Sequence, residues 1–563
     1  MHRVMLGVWI ALTSFANAAQ AADAGALQIS IQSQRLDAIA IEILLDPAKL
    51  KFAKIVEGGL TFTKVVLPEA RGMATAGTPD VPVLHQLLAV APGRDYDVQV
   101  GLTGRTIMDN VLLTPAQADR LEGGSRSPFL YAAQSYEKDR EIGSETVTLG
   151  RPMHLGSIAV LPLNFWPIHY NPARRQLTLW RHLTVRLRVR TPASLVGGPP
   201  LPLTPFEIAQ LRGLVANAPQ AIASAKTAAN PRLLVLTTSD LLPQAKALAT
   251  NGRLPEVTFE FQTVAGGSTS ANIQDMIAAS YARGELNSVL LFGDQTRIPT
   301  YSWPDGRLGD SHYAVLDAGS SYMSVGLGRL PVANVAEAQI IVAKLLKYDQ
   351  LQRRGYRQGG VLLVAHPDTA DAHYSTNQES VRTSENPRGF RFTTEYGGAG
   401  ATNQTVLDAV NKDGYALVAY RGHGLDTHWW EWDAAGKDFG ATEVASLVND
   451  DEKMTVVFNI ACDTGALQNP AYMAHDLLFL SGKSGQSRGA VAVLAATFNT
   501  YSAANDRYNR YLFQALQDQP AADLGSVVGV ARNLLVKDGD DAASSNAEMY
   551  ILFGDPMVRP WLP

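Results

Sequence analysis

The chain has 563 residues, a formal net charge of -5, 46% hydrophobic and 18% charged residues, and a single cysteine, Cys462. That length exceeds one hydrophobic core and predicts about two to four domains, and the balance excludes a disordered or fibrous chain. The weak charge argues against nucleic acid or an anionic membrane surface as partner, and one cysteine excludes an intrachain disulfide.

At the N-terminus, His2 and Arg3 precede an apolar run over residues 4–12. Ala16-Asn17-Ala18 and Ala19-Gln20-Ala21 then fit small-x-small cleavage sites. The run is too short to span a bilayer, so residues 1–22 read as a signal peptide and the protein as secreted or periplasmic. No later stretch of sequence reads as a membrane span.

Residues 23–195 read as a β-rich domain. Runs at 27–31, 95–102 and 177–189 alternate apolar and polar residues, the pattern of half-buried antiparallel strands, and Gly and Pro punctuate them at 77–82 and 91–94. Residues 196–230 read as a linker: VGGPPLPLTP over 196–205, then an Ala-rich helical stretch over 206–229. From 231 the texture changes. Fully apolar runs at 232–237, 288–294, 360–365, 415–420, 454–460 and 489–494 alternate with helical stretches at 240–250, 273–284, 335–351, 403–412, 443–449 and 506–517. This alternation predicts an α/β domain with a parallel sheet covered on both faces.

In such sheets functional groups gather beyond the carboxyl ends of the strands. The run 415–420 delivers Arg421-Gly422-His423-Gly424, and the run 454–460 delivers Ala461-Cys462-Asp463-Thr464-Gly465. A thiol and an imidazole flanked by small residues suit nucleophilic attack on a carbonyl. The thiolate attacks, the imidazole handles the proton, and backbone N–H groups at Cys462 and Gly424 are candidates to hold the oxyanion. The competing readings are a buried small hydrophobe for Cys462 and a turn histidine for His423. His428 is the nearest rival base.

Tyr420–Gly424 followed by Trp429 and Trp430, the 458–465 segment FNIACDTG, the strand at 489–499, and the segments at 289–294, 325–331 and 552–556 together resemble the gingipain family of cysteine peptidases. The segments at 77–83 and 88–93 resemble that family's β-rich prodomain. The resemblance implies a caspase-like α/β sandwich in two subdomains, 231–355 and 356–563, the second carrying a His423/Cys462 dyad. It implies a secreted endopeptidase made as a zymogen and acting on protein or peptide substrates, with its own prodomain as intramolecular inhibitor. Release is expected within 193–230, with Arg212, Lys226 and Arg232 as cleavage points. Asp368 and Asp371, upstream of the His motif, are the candidates for a pocket selecting basic residues, and Asp371 is also the candidate acid orienting His423. Trp429, Thr497, Asn499 and Tyr501 are the further candidates for the substrate cleft. Rival readings keep the fold: a transpeptidase that processes exported proteins, or a catalytically idle binding protein. The sequence ends soon after 552–556, so retention on a cell surface by a C-terminal sorting domain is not expected. No cofactor is required. Carboxylates such as Asp305, Asp310 and Asp317 leave room for a structural calcium, without the spacing of a calcium loop. One cysteine and scattered histidines offer no structural zinc site.

Overall fold

The fold is that of a computed structural model, which describes residues 25–563 apart from 32–35, 37, 69, 125–127, 191–200, 251–252, 357–359, 370–371, 385, 483–485 and 519–522. The expected signal peptide and Asp371 therefore lie outside the described residues.

Among the described residues, the N-terminal region is built from two five-stranded antiparallel sheets and the hairpin of Lys51–Glu57 with Leu60–Val66. In the first, the long strand Gln176–Val189 pairs on one side with Ala38–Leu45 and on the other with Tyr96–Met108. Its alternation places Leu183, Val185 and Leu187 inside and Arg186 outside, the period-two pattern of a strand with one wet face. In the second, Ile158–Phe165 pairs with Pro82–Ala89. Leu161, Leu163 and Phe165 meet Ile41, Ile43 and Leu183 in one shared core.

The second region holds one continuous sheet of ten strands. Their spatial order is Thr258–Thr263, Arg232–Thr237, Leu286–Phe292, Gly326–Leu330, Tyr550–Gly554, Ala490–Ala496, Thr455–Ile460, Leu417–Arg421, Gly360–Ala365 and Arg391–Tyr396. All neighbours run parallel except Ala490–Ala496 and Tyr550–Gly554. Most of its strands are buried along their whole length, as a sheet covered by helices on both faces requires. The C-terminal strand Tyr550–Gly554 sits in the middle and closes the two halves into one sheet.

Within the segment read as a linker, the helix Pro205–Leu214 opens with a capping box. Thr204 accepts from the Glu207 N–H, while the Glu207 carboxylate accepts from the Thr204 N–H and also from Ser157 of the β region. Phe206 is fully buried against the sheet residues Leu234 and Val289, and Asn217 bonds both the N–H and the carbonyl of Ala89. Of the three basic residues expected as release points, Arg212 lies in that helix. Arg232 lies in a sheet strand, with its guanidinium on the carbonyls of Ser280 and Gly284. Only Lys226 lies between elements. Among the described residues no helix is long and apolar enough to cross a membrane.

Candidate active site

Strands ending at Arg421 and Ile460 are neighbours in the sheet, so the loops after them meet beyond its carboxyl edge. The packing between these loops explains the small residues around His423. A Cβ on Gly424 would lie 2.5 Å from the Cys462 carbonyl oxygen, and one on Gly422 would lie 2.3 Å from the Tyr420 hydroxyl. No side chain fits at either position.

Cys462 is 4% exposed. Its Sγ accepts the Thr500 N–H at 3.3 Å and lies 3.3 Å from the Thr500 hydroxyl. Burial pushes the thiol up to about 12. Burial, with His366 as a second cause, pulls His423 down to about 4. His366 stands edge-on to His423 with ring centroids 4.7 Å apart, and Trp430 stands edge-on to it at 5.5 Å. Both Cys462 and His423 are therefore neutral at pH 7. The residue after the thiol, Asp463, adopts φ +54°, a left-handed conformation unusual for a non-glycine residue.

The cleft is occupied by a segment of the β region, residues 120–124. Ser502 donates its N–H to the Arg120 carbonyl at 2.9 Å, and Glu122 donates its N–H to the Thr500 carbonyl at 2.7 Å. Leu121 lies opposite Tyr501 in an antiparallel bridge. The Glu122 side chain enters a pocket of four donors. Arg421 Nη1 reaches Oε2 at 2.6 Å and Asn505 Nδ2 reaches it at 3.1 Å, while the hydroxyls of Tyr374 and Ser502 each reach Oε1 at 2.9 Å. Both side chains of the Arg421–Glu122 pair are 1% exposed. Burial alone would raise the Glu122 carboxyl. Arg421 and the hydrogen bonds of Asn505 and Tyr374 outweigh it and hold the group below its ordinary range. Past Glu122 the chain turns: Gly124 donates to the Leu121 carbonyl at 3.0 Å, and a Cβ on Gly123 would lie 3.3 Å from His423 Nδ1.

Proton counting fixes the state of His423. The ionised Glu122 only accepts, so the single Tyr374 hydroxyl proton goes to it. The 3.0 Å contact between Tyr374 and His423 Nε2 is then made by Nε2–H as donor. Nδ1 is left unprotonated on the side of Gly123.

The other expected site residues fall differently. Trp429 is 2% exposed, stacked on Tyr420 at 4.2 Å, and donates to Asn459, so it is a core residue; its neighbour Trp430, 40% exposed, is the one beside His423. Thr497 is buried with its hydroxyl on the carbonyls of Leu308 and Met549. Asn499 is exposed on the loop between Cys462's neighbour strand and Thr500. Tyr501 contributes its backbone, held on both sides by the Asn546 side chain. Asp368 accepts from the Ser375 N–H and the Thr376 hydroxyl in the first turn of the helix Tyr374–Arg382. His428 contacts Thr427 and lies 3.6 Å from Asp438. Asp305 pairs with Arg307 and Asp310 with Arg329, and Asp317 accepts from Tyr281 and Ser324. Among the described residues no three acidic or histidine side chains cluster as a metal site. Residues absent from the sequence reading are Glu122, Tyr374, His366, Thr500 and Asn505. Arg421 enters the sequence reading at the end of an apolar run and within the Tyr420–Gly424 motif, with no role of its own.

Comparison with known proteins agrees with this geometry. The model of peptidase family C25 matches residues 226–561, and that of its propeptide matches residues 26–197. Gingipain R1 of Porphyromonas gingivalis is 24% identical over 538 residues, which are 90% of this chain and 53% of that protein. The chain thus spans about half the length of this relative. The crystal structure of the Arg-specific cysteine proteinase gingipain R superposes with a TM-score of 0.52 at 22% identity, covering 59% of this chain and 79% of that one. The complex of Porphyromonas gingivalis RgpB pro- and mature domains gives 0.52 at 21%, covering 58% and 80%. These likenesses establish the caspase-like α/β fold preceded by a propeptide domain, and with the two family matches they lead to one assignment: the chain belongs to peptidase family C25.

Proposed function

We propose that this chain is the latent precursor of an exported cysteine endopeptidase, with Cys462 as nucleophile, His423 as base and the β region as its inhibitor. The observation that carries this reading is the segment 120–124, which pairs with Thr500–Ser502 as an extended substrate would and passes over His423. In the reaction, His423 Nδ1 takes the Cys462 proton and the sulfur bonds to the scissile carbonyl carbon. The amine leaves with the proton from the imidazolium, and water then cleaves the thioester. The N–H groups of Cys462 and Gly424 are the oxyanion donors in this reading. Tyr374 holds the imidazole in the tautomer that presents Nδ1.

Latency has two physical parts. The segment fills the cleft, and the burial it imposes suppresses ionisation. With the thiol pushed up to about 12, about 10⁻⁵ of it is thiolate at pH 7. The test uses the full chain with Glu122→Ala, which removes the side chain that anchors the segment. A diverse peptide mixture analysed by mass spectrometry is expected to be cut by this variant and left intact by Glu122→Ala/Cys462→Ala. Equal cleavage by both overturns the assignment of Cys462.

A further inference from the structure

The pocket that holds Glu122 has more chemistry than latency requires. Its four donors come from three separate elements: Arg421 from the end of a sheet strand, Tyr374 from the helix Tyr374–Arg382, and Ser502 and Asn505 from the helix Ser502–Asp518. Each donor is locked by other bonds on the catalytic side. Arg421 Nε is fixed on Asp506 at 2.9 Å and Nη2 on the Ser502 carbonyl at 3.0 Å, which leaves Nη1 for the pocket. Its guanidinium also lies over the Tyr374 ring at 4.8 Å. The Asn505 carbonyl accepts from Asn546 Nδ2 and the Tyr550 hydroxyl, both at 2.8 Å, so its amide N–H must point at Glu122 and Thr500. None of these constraints comes from the β region. The donors stay converged when Glu122 leaves, and a buried set of donors without an acceptor costs free energy until an acceptor arrives.

The register of the segment says which substrate residue enters. The N–H of residue 122 and the carbonyl of residue 120 bond the strand-like segment Thr500–Ser502, and residue 123 lies against His423. Residue 122 therefore occupies the position whose carbonyl Cys462 would attack.

We infer that the pocket beside Cys462 selects an acidic side chain, glutamate before aspartate, on the amino side of the cleaved bond. This rests on the peptidase reading above and replaces the basic preference expected from the sequence. Glutamate reaches all four donors as Glu122 does, and aspartate is one methylene shorter. A lysine or arginine would meet the Arg421 charge at close range. Asp506, the acid nearest that charge, is already bound to Arg421. Glutamine keeps the shape but loses the charge-assisted bond to Arg421. The geometry of Gly123 and Gly124 also explains why Glu122 itself is held without being cut: the chain turns back on Leu121 where a substrate would continue extended.

The test has an activity arm and a binding arm, both on the full chain. In the activity arm, Glu122→Ala is offered peptides that differ only in the residue before the scissile bond. The expected kcat/KM for glutamate exceeds that for glutamine by about 10- to 100-fold, with lysine and arginine below both. New termini that the variant makes on itself are expected after Asp or Glu. None is expected between Thr191 and Leu203, where the sequence has neither. In the binding arm, Glu122→Ala/Cys462→Ala is titrated calorimetrically with acetyl-Arg-Leu-Glu amide and its Gln and Lys counterparts, and the Glu peptide is expected to bind about tenfold or more tightly. Ser502→Ala and Arg421→Gln are each expected to reduce the Glu-over-Gln ratio, and Ser502→Ala keeps the test alive if Arg421→Gln does not fold. Cleavage after Arg or Lys at rates equal to Glu, or equal binding of the three peptides, overturns the inference and leaves the peptidase intact. Selective binding of the Glu peptide without cleavage of any substrate upholds the pocket and overturns the peptidase reading.

Discussion

The two halves of the occupied cleft are built on opposite electrostatic terms. In the half proposed above to react, Cys462 is buried, His423 is half-buried, both are neutral, and the thiol is bonded to Thr500. In the binding half, the Glu122 and Arg421 side chains are buried and charged, each satisfied by several partners. Burial acts on both. It wins where no counter-charge is present and loses where an arginine and three further donors converge. A single segment thus lies against His423 with one residue, Gly123, and anchors itself with the one before it.

The largest expected effect separates these halves. Removing the anchor with Glu122→Ala should open the cleft and raise the rate at which iodoacetamide alkylates Cys462 at pH 8 by about 10²-fold or more, because a buried ion pair with one member removed costs several kcal/mol. Peptide mapping by mass spectrometry gives the rate. If wild type and variant label equally fast, the two halves are independent and Glu122 is not the anchor. A change within the reacting half, Trp430→Ala, removes an exposed ring that lies beside His423 but touches neither Glu122 nor Arg421 in any bond described above. It is expected to change kcat/KM in the Glu122→Ala background by less than about tenfold, with the preference for glutamate retained.

The split also marks what the sequence could reveal. Cys462 and His423 are legible because each closes an apolar run that becomes a parallel strand, and the position of such ends in an open sheet is general. The pocket is not legible, because its central pair joins residues 299 positions apart and depends on how the β region docks. Trp429 and Trp430 show a smaller failure of the same kind. Trp429 closes the two-residue strand His428–Trp429 and Trp430 follows it, one ring buried and the other exposed, and composition gives no way to choose. In the sheet, Arg232–Thr237 and Gly360–Ala365 emerge with the expected bounds. Gly326–Leu330 does not read as a strand, since its GLGRL sequence carries two glycines and an arginine. Its fully buried Arg329 is matched by Asp310 and by the carbonyls of Gly293 and Ile298. The helix Leu524–Asp538 was missed because it is buried almost all round and has no polar face to set a period.

Acid should sharpen the contrast by erasing its charged half. The groups facing Glu122 are Arg421, Tyr374, Ser502 and Asn505, with Asp506 behind Arg421 and His423 behind Tyr374. The carboxyl is held below its ordinary value of 4.5, so its contribution to closure is complete above 4.5 and is lost as pH falls through the lowered value. His423 works in the same direction. Its closed-state value of about 4 lies below the ordinary 6.5, so opening takes up a proton between those limits and closure weakens as pH falls from 6.5 towards 4. Glu122→Gln keeps the second effect and lacks the first. At pH 7 it is expected to label about 5- to 150-fold faster than wild type, corresponding to about 1–3 kcal/mol. With 4,4′-dithiodipyridine, which reacts with thiols in acid, that ratio should shrink towards one below pH 4.5. A ratio that stays constant to pH 3 would mean that closure leaves the Glu122 carboxyl unshifted, and one that rises on acidification would mean that Glu122 is neutral in the closed cleft.

The smallest expected effect lies beside the thiol. Asp463 sits at φ +54°, and its carboxyl is raised to about 6, by burial first and then by Asp426. Glycine removes the steric cost of that conformation and adds freedom to the unfolded chain, so Asp463→Gly should change stability by no more than about 1 kcal/mol. Its electrostatic effect has a definite sign. An ionised Asp463 opposes formation of the neighbouring thiolate, so its removal should favour the thiolate, and only where Asp463 would have been charged. In the Glu122→Ala background, alkylation of Cys462 should therefore match that of Asp463→Gly below pH 6 and fall behind it by less than about tenfold as pH rises through 6. Acetyl-Arg-Leu-Glu amide should bind both chains equally, because the carboxylate next to the sulfur lies outside the pocket that the four donors form.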